Sequence, residues 1–313
     1  METKLNYKRT FLIGLAFLSI CSFWQMYDNI IPLILQNTYH LGETMTGAVM
    51  ALDNVLAIFL LPVFGTLSDK VHTKLGRRMP FIVAGTILAV IFMMLLPMID
   101  NAEKARWSTG ESFSNQVIFL AVLFFTLVSM GLYRSPAVAL MPDVTPNHLR
   151  SRANAVINLM GAVGGVYALI MIKVLVGKGE TPDYLPLFAS IAAVMVIAVG
   201  ILVITIRENK LREEVEKAET ANAGTIEEKA MAEGVEAAGE IEAVGDTGEA
   251  KASDGKQQMG KTENAKGMPK EVKRSMYFML ASIFLWFTAY NAVTTAFSRY
   301  TKVVWKMEGG SFA

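Results

Sequence analysis

Long apolar runs, separated by shorter polar connections, make up most of this chain. Seven runs are long enough to cross the hydrocarbon core of a membrane, which takes about 20 helical residues. They cover residues 11–36, 47–68, 79–99, 115–136, 153–176, 184–206 and 275–298. The pattern predicts an all-α membrane protein with seven spanning helices.

Basic residues in the short connections indicate how these spans are oriented, because Lys and Arg concentrate on the cytoplasmic side. The N-terminus carries Lys4, Lys8 and Arg9, whereas the connection 37–46 carries no basic residue. We therefore predict a multi-pass protein of the cell membrane with a cytoplasmic N-terminus. The odd-numbered spans then run outward.

The charged residues are concentrated in one segment. Residues 207–274 hold 16 of the 28 Asp and Glu residues and no aromatic residue. Such a segment buries too little apolar surface to order itself, so we predict a disordered, charged cytoplasmic linker. Residues 207–221 are predicted to extend the sixth helix, and a regulatory docking tail is the alternative role for the remainder. The net charge of +1 argues against a nucleic-acid partner.

The connection 65–80 carries the most informative motif. A glycine lies four residues before an acid, and Gly-Arg-Arg closes the loop. Glycine lets helices approach closely, and an acid at a helix C-terminus needs cations nearby because it opposes the helix dipole. We predict a cytoplasmic gate here, with topology-setting charges as the alternative. The candidates are Gly65, Asp69, Lys70, Gly76, Arg77 and Arg78.

A second polar segment, residues 133–152, follows the fourth apolar run. Pro142 and Pro146 are predicted to end the fourth helix, because neither donates a backbone hydrogen bond. Asp143 is then expected at the cytoplasmic mouth beside Arg150 and Arg152.

These two segments resemble the major facilitator superfamily of transporters. Residues 65–80 are similar to the loop between its second and third spans, in the longer form of the glycoside–pentoside–hexuronide:cation symporter and sucrose-transporter branches. Residues 133–152 are similar to the fourth-to-fifth-span junction of those branches, and the resemblance implies that Asp143, Arg150 and Arg152 belong to the same inner gate. One departure weakens a sucrose assignment: plant sucrose transporters carry an Arg where this chain has Val138.

The resemblance also implies a domain organisation, since such transporters have two six-span halves. Residues 1–206 are expected to form the N-terminal half and 207–274 the linker. Residues 275–298 would be the first helix of the second half, and 299–313 its extracytoplasmic end. We expect the chain to be truncated after the seventh span, with the missing C-terminal half as a partner.

Polar side chains inside the spans are the candidates for substrate binding. A charge at bilayer depth costs at least about 2.5–3.5 kcal/mol and usually faces a cavity. Sugar hydroxyls pair with carboxylates and amides, while sugar C–H faces pack on aromatic rings. Interfacial aromatics and a snorkelling Arg are the alternative interpretation. The predicted substrate-binding residues are Trp24, Gln25, Tyr27, Asp28, Asn29, Arg134, Trp286, Tyr290 and Asn291.

The second span contains Asp53 and Asn54, which we predict to couple a cation. In the melibiose-permease branch of the superfamily, acids of this span bind the coupling ion. A single carboxylate suits H⁺ better than Na⁺, which requires several oxygen ligands; a helix–helix hydrogen bond is the alternative role. No cofactor other than the ion is expected.

No nucleophile–base pair, phosphate-binding loop or metal-ligand cluster is evident in the sequence, so we predict a protein that is not an enzyme. The sequence favours a sugar:cation symporter, for a glycoside or disaccharide, that works by alternating access. The alternatives are a lysolipid or amphiphile carrier of the same superfamily and a non-transporting membrane fragment or receptor.

Overall fold

The computed structural model describes residues 5–107, 115–177, 182–217, 220 and 270–305. Among these residues we number eight helices, and none of these residues forms a β-strand. A 3₁₀ turn, Asn147–Leu149, precedes the fifth helix. The helices are α1 (Tyr7–Asn37), α2 (Glu43–Lys70), α3 (Met79–Trp107), α4 (Gln116–Asp143), α5 (Arg150–Leu175), α6 (Leu185–Thr205), α7 (208–217) and α8 (Lys270–Val304).

Six of the described helices, α1 to α6, are long and apolar enough to cross a membrane. They coincide with the six apolar runs predicted in residues 1–206. The seventh apolar run, 275–298, is helical within α8. The predicted domain boundaries and the spanning role of α8 stay predictions.

α3 continues to Trp107, beyond the apolar run that ends at residue 99, because its last turns carry charged residues that a hydropathy pattern does not mark as helical. α4 continues past its apolar run to Asp143, so it ends where Pro142 was predicted to end it. α4 includes Pro136 and Pro142 and ends one residue after the second proline.

Lys104 explains how the charged end of α3 is held in place. Its ammonium group donates to Asp100, one turn earlier, at 2.5 Å and to the Pro182 carbonyl at 2.7 Å. It also lies 4.8 Å from the ring centre of Tyr184. Burial, together with the charge of Asp100, raises the pKa of the Tyr184 hydroxyl, so the phenol stays neutral. These contacts join the end of α3 to the start of α6.

The predicted continuation of α6 over residues 207–221 is wrong in one respect. α6 ends at Thr205, Ile206 adopts an extended backbone, and a separate helix, α7, follows over 208–217. The rest of the predicted linker, residues 218, 219 and 221–269, lies outside the described residues. Because the helix breaks at Ile206, α7 changes direction and contacts the segment that precedes α3.

Small residues bring α1 and α5 into close contact. A Cβ atom at Gly164 would overlap the Leu18 carbonyl, and Ser22 Oγ donates to the Gly164 carbonyl at 2.9 Å. A Cβ atom at Gly161 would lie 2.9 Å from Cys21 Sγ. Gly161 and Gly164 therefore permit the close packing of α1 and α5.

A buried tyrosine joins α1 to α4. The Tyr133 hydroxyl lies 2.6 Å from Ser19 Oγ and donates to the Ala16 carbonyl at 3.1 Å. On its other side, a Cβ atom at Gly85 of α3 would lie 2.6 Å from the Tyr133 amide nitrogen. α1, α3 and α4 therefore meet at one point in the core.

Candidate functional site

Two arginines join the C-terminal ends of α2 and α4. Arg78 is 5% exposed; its Nη2 lies 2.6 Å from Asp69 Oδ1, and its Nε donates to Asp143 Oδ2 at 3.0 Å. Arg77 Nη2 donates to the same Asp143 oxygen at 2.9 Å and lies 3.6 Å from Asp69. These four residues, Asp69, Arg77, Arg78 and Asp143, are called the charge cluster below. The structure thus brings an acid of the second polar segment, Asp143, together with an acid and two arginines of the first.

Gly65 and Ser68 bring α2 close to this cluster. Arg78 Nη1 donates to Ser68 Oγ at 2.6 Å and to the Gly65 carbonyl at 3.3 Å. A Cβ atom at Gly65 would lie 3.3 Å from Ser135 Oγ of α4, and Ser135 Oγ donates to the Leu61 carbonyl at 2.8 Å. The absence of a side chain at Gly65 therefore permits the close approach of α2 and α4.

A carboxylate that sequence reasoning missed completes the cluster. Glu208, the first residue of α7, is fully buried, and its carboxylate accepts hydrogen bonds from the backbone N–H groups of Arg77, Arg78 and Met79 at 2.9–3.1 Å. The first N–H groups of a helix lack partners within it, and a negative charge there complements the helix dipole. Glu208 therefore caps the N-terminus of α3. Because it lies 131 positions from Arg77, no local spacing identifies it.

Gly76 makes room for the Glu208 carboxylate. The Gly76 backbone has a φ of +129°, and a Cβ atom there would overlap the Glu208 side chain. Thr73 and Gly76 exchange backbone hydrogen bonds of 3.1 and 3.2 Å across the turn. Asn209, next in α7, donates to the Thr73 carbonyl at 3.0 Å. The turn and the start of α7 are thus mutually fixed.

The other predicted gate residues lie outside the ion pairs of the charge cluster. Arg150 donates to the carbonyls of Pro142 at 2.8 Å and Thr145 at 3.2 Å, so it binds the C-terminal end of α4. Lys70 and Arg152 are exposed. Opening and closing by any of these residues stays a prediction.

A small cavity of about 20 Å³ lies among α1, α2 and α4. Its polar lining comes from three predicted site residues: Trp24 of α1, Asp53 of α2 and Arg134 of α4. The Arg134 guanidinium lies 5.5 Å from the centre of the Trp24 ring, at cation–π distance. Leucines, Ala57 and Gly131 form the remaining wall. The three polar residue types were predicted from sequence, and the fold brings them to one apolar pocket.

Two buried donors on α1 lack partners among the described residues. They are the Trp24 indole N–H and the Tyr27 hydroxyl. The two rings meet edge-on at 5.4 Å. A buried donor without a partner costs about 1–3 kcal/mol. The arrangement therefore favours a polar ligand that would accept these hydrogen bonds.

The remaining candidates of α1 and α2 do not line the cavity. The Asn29 side-chain amide donates to the Gln25 carbonyl at 2.7 Å, and Gln25 and Asp28 are half-buried. Asn54 is exposed and donates to Asp53 Oδ1 at 2.9 Å, which orients that carboxylate. Their binding roles stay predictions.

α8 carries the three remaining candidates for substrate binding. Trp286 and Tyr290 are exposed on this helix, and the Asn291 side chain lies outside the described part of the chain. Their assignment to a substrate site also stays a prediction.

Comparison with known proteins identifies the class. The profile of the Major Facilitator Superfamily matches residues 8–310. The chain therefore belongs to the major facilitator superfamily, and its all-α fold is the one expected for that superfamily. It is a multi-pass membrane protein of a transporter family and not an enzyme.

Several sucrose transport proteins of plants are similar to part of the chain. The chain is 35% identical over 116 residues to the sucrose transport protein SUC4 of Arabidopsis thaliana. The aligned region covers 35% of this chain and 22% of that protein. It is 26% identical over 137 residues to the sucrose transport protein SUT3 of Oryza sativa subsp. japonica. That aligned region covers 41% of this chain and 27% of SUT3. The match spans about a quarter of the length of these relatives.

Proposed function

We propose that this chain serves sugar:cation symport by alternating access, with H⁺ as the coupling ion. One observation carries the proposal: an indole, a carboxylate and a guanidinium line the same membrane-embedded cavity, as Trp24, Asp53 and Arg134. The similarity to sucrose transport proteins supports a sugar of the glycoside or disaccharide class as the substrate.

The chemistry of the cavity suits a polyol. The face of the Trp24 ring offers an apolar surface for sugar C–H groups, while the guanidinium of Arg134 offers donors to sugar hydroxyls. A sugar oxygen would also accept from Trp24 Nε1, which lacks a partner among the described residues. A bound sugar would therefore remove the cost of this buried unpartnered donor.

Asp53 is the proposed site of proton coupling. Its carboxylate lies in a spanning helix, where the charged form is costly and protonation removes that cost. The neighbouring Asn54 amide donates to it, and this single carboxylate offers few of the oxygen ligands that a hard metal cation requires. We infer that Asp53 takes up a proton as the sugar binds and releases it on the other side.

The charge cluster is the proposed inner gate. Its ion pairs join the ends of α2 and α4, so a movement that separates these helices has to break them. The half-exposed Asp69 would separate at low cost, since ion pairs near the surface are worth about 0–1 kcal/mol. During alternating access, the ion pairs of the cluster would be formed while the inner side is closed.

Proton uptake on sugar binding tests this proposal without requiring translocation. The purified chain in weakly buffered detergent is titrated with sucrose while a pH indicator follows proton uptake. We expect the native chain to take up at most one proton per sugar bound, and Asp53→Asn to bind sucrose without proton uptake. Glu213→Gln, an exposed carboxylate of α7, is the control and should behave as the native chain does.

The same titration separates the alternatives. Equal proton uptake by Asp53→Asn and by the native chain would remove Asp53 from the coupling role. Saturable binding of a lysophospholipid, with no binding of sucrose or other glycosides, would replace the sugar assignment by an amphiphile carrier.

A further inference from the structure

A large groove lies between the N-terminal end of α1 and α7, away from the cavity described above. It measures about 450 Å³, and four basic residues line it: Lys8 and Arg9 of α1, Arg207, and Lys210 of α7. The described lining contains one carboxylate, Glu214. We call this feature the basic groove.

The charges in the basic groove are unbalanced. Glu214 Oε2 lies 2.9 Å from Arg9 Nη1, so the single acid is matched by one cation. Lys8, Arg207 and Lys210 provide the excess positive charge, and all three are exposed. The N-terminal end of α1 adds the positive end of its helix dipole. The groove therefore attracts an anion.

The position of the groove indicates where that anion would come from. Lys8 and Arg9 lie in the first turn of α1, and Thr205 is the last residue of α6. Both are spanning helices, so the groove lies where a spanning segment leaves the hydrocarbon, at the level of lipid headgroups. Leu12, Ile206 and Leu211 add an apolar wall, and the last two are buried.

We propose that the basic groove binds the headgroup phosphate of an anionic phospholipid. The cations contact the phosphate, and the apolar wall packs against the glycerol and upper acyl chain. A free phosphate ion would use the cations but gain nothing from the wall. The site does not depend on the sugar assignment.

Binding there would act on the charge cluster through α7. This helix begins at Glu208, which caps α3 beside Arg77 and Arg78, and it continues to Lys210 and Glu214 in the groove. A lipid that holds α7 against α1 would therefore also hold the Glu208 cap in place. We expect bound anionic lipid to raise the melting temperature of the chain.

Native mass spectrometry of the full chain in detergent tests the site. Phosphatidylglycerol and phosphatidylcholine of equal acyl length are added in competition, and the bound lipids are counted. We expect the native chain to prefer phosphatidylglycerol and Lys8→Gln/Lys210→Gln to lose roughly 30-fold of that preference, from ~1 kcal/mol per basic residue at an anionic surface. The matched control is Lys74→Gln/Lys217→Gln, which removes two exposed cations outside the groove and should keep the preference.

Three results would overturn the proposal. One is an unchanged preference in the groove variant, and another is an equal loss in the control variant. The third concerns the source of the anion. It is the result that excess inorganic phosphate displaces phosphatidylglycerol and raises the melting temperature as much as phosphatidylglycerol does. A groove variant that melts at the native temperature without lipid, but gains no stability from phosphatidylglycerol, would agree with the proposal.

Discussion

Replacement of Glu208 by alanine should destabilise the chain more than any other single change to a charged residue of α7. The native carboxylate is fully buried and accepts three backbone hydrogen bonds at the start of α3. Alanine leaves these N–H groups without their acceptor, and a water molecule can replace only part of the interaction. Hydrogen bonds to a charged group are worth about 1.5–3 kcal/mol each and are not additive, so we expect a loss of about 4 kcal/mol.

The expected shift in melting temperature follows from this free energy. For a chain of this size, 1 kcal/mol corresponds to about 2–4 °C, so Glu208→Ala should lower the melting temperature by about 10 °C. Glu208→Gln keeps one acceptor oxygen but loses the charge that complements the helix dipole. Its effect should be roughly half as large.

The chain carries its own reporter for this measurement. Cys21 is its single cysteine and packs against Gly161 at the contact between α1 and α5. A thiol-reactive dye therefore reports when the helix bundle opens on heating. The control is Glu213→Gln, which removes an exposed charge from the same helix. If Glu208→Ala melts at the same temperature as the control variant, Glu208 does not cap α3 and the reasoning fails.

Two further predictions use the same assay. Gly164→Ala should cost about 1–3 kcal/mol, because its Cβ atom overlaps the Leu18 carbonyl, whereas Gly200→Ala in α6 has open space and should be neutral or stabilising by up to about 1 kcal/mol; equal melting of the two variants would contradict the close approach of α1 and α5. Asp143→Asn should cost about 2 kcal/mol, since it removes the shared partner of two largely buried guanidinium groups, while loss of the exposed Glu216 carboxylate should cost well under 1 kcal/mol. An Asp143→Asn chain that melts with Glu216→Gln would show that the charge cluster contributes nothing to stability.

The spanning helices were predictable because hydropathy is a local property of the sequence. The apolar runs located α1 to α6, and Pro142 marked the end of α4, but the end of α3 was placed too early. The turn that contains Asp100 and Lys104 is polar in sequence yet helical, because the two side chains pair one turn apart and Lys104 binds the following connection. A hydropathy window does not register such pairs.

The charge cluster was predictable in its residue types, since both polar segments carry recognisable spacings. The pairing of Asp143 with Arg77 and Arg78, rather than with Arg150, was not predictable. It depends on the distance between two helix ends and not on sequence neighbours. Glu208 was missed for the same reason: within a charged segment, nothing local separates a capping carboxylate from a solvated one.

The cavity was predictable from the sequence in its residue types but not in its geometry. Trp24, Asp53 and Arg134 were candidates from sequence because polar residues at bilayer depth are costly. The position of the Arg134 guanidinium over the Trp24 ring was not predictable, because it depends on how α4 packs against α1. Which polar side chains of α1 reach the cavity depends on helix rotation, which the sequence alone does not specify.

Protection of a cavity cysteine by sugar tests the central claim most directly. In a Cys21→Ser background, Gly131→Cys places a thiol in the cavity wall, where a Cβ atom makes ordinary contact with Leu60. Gly47→Cys, at a position of α2 with open space around it, is the control. We predict that sucrose or another glycoside slows maleimide labelling at position 131 in a saturable manner and leaves position 47 unchanged. Equal labelling of position 131 with and without every sugar tested would contradict a sugar site in this cavity.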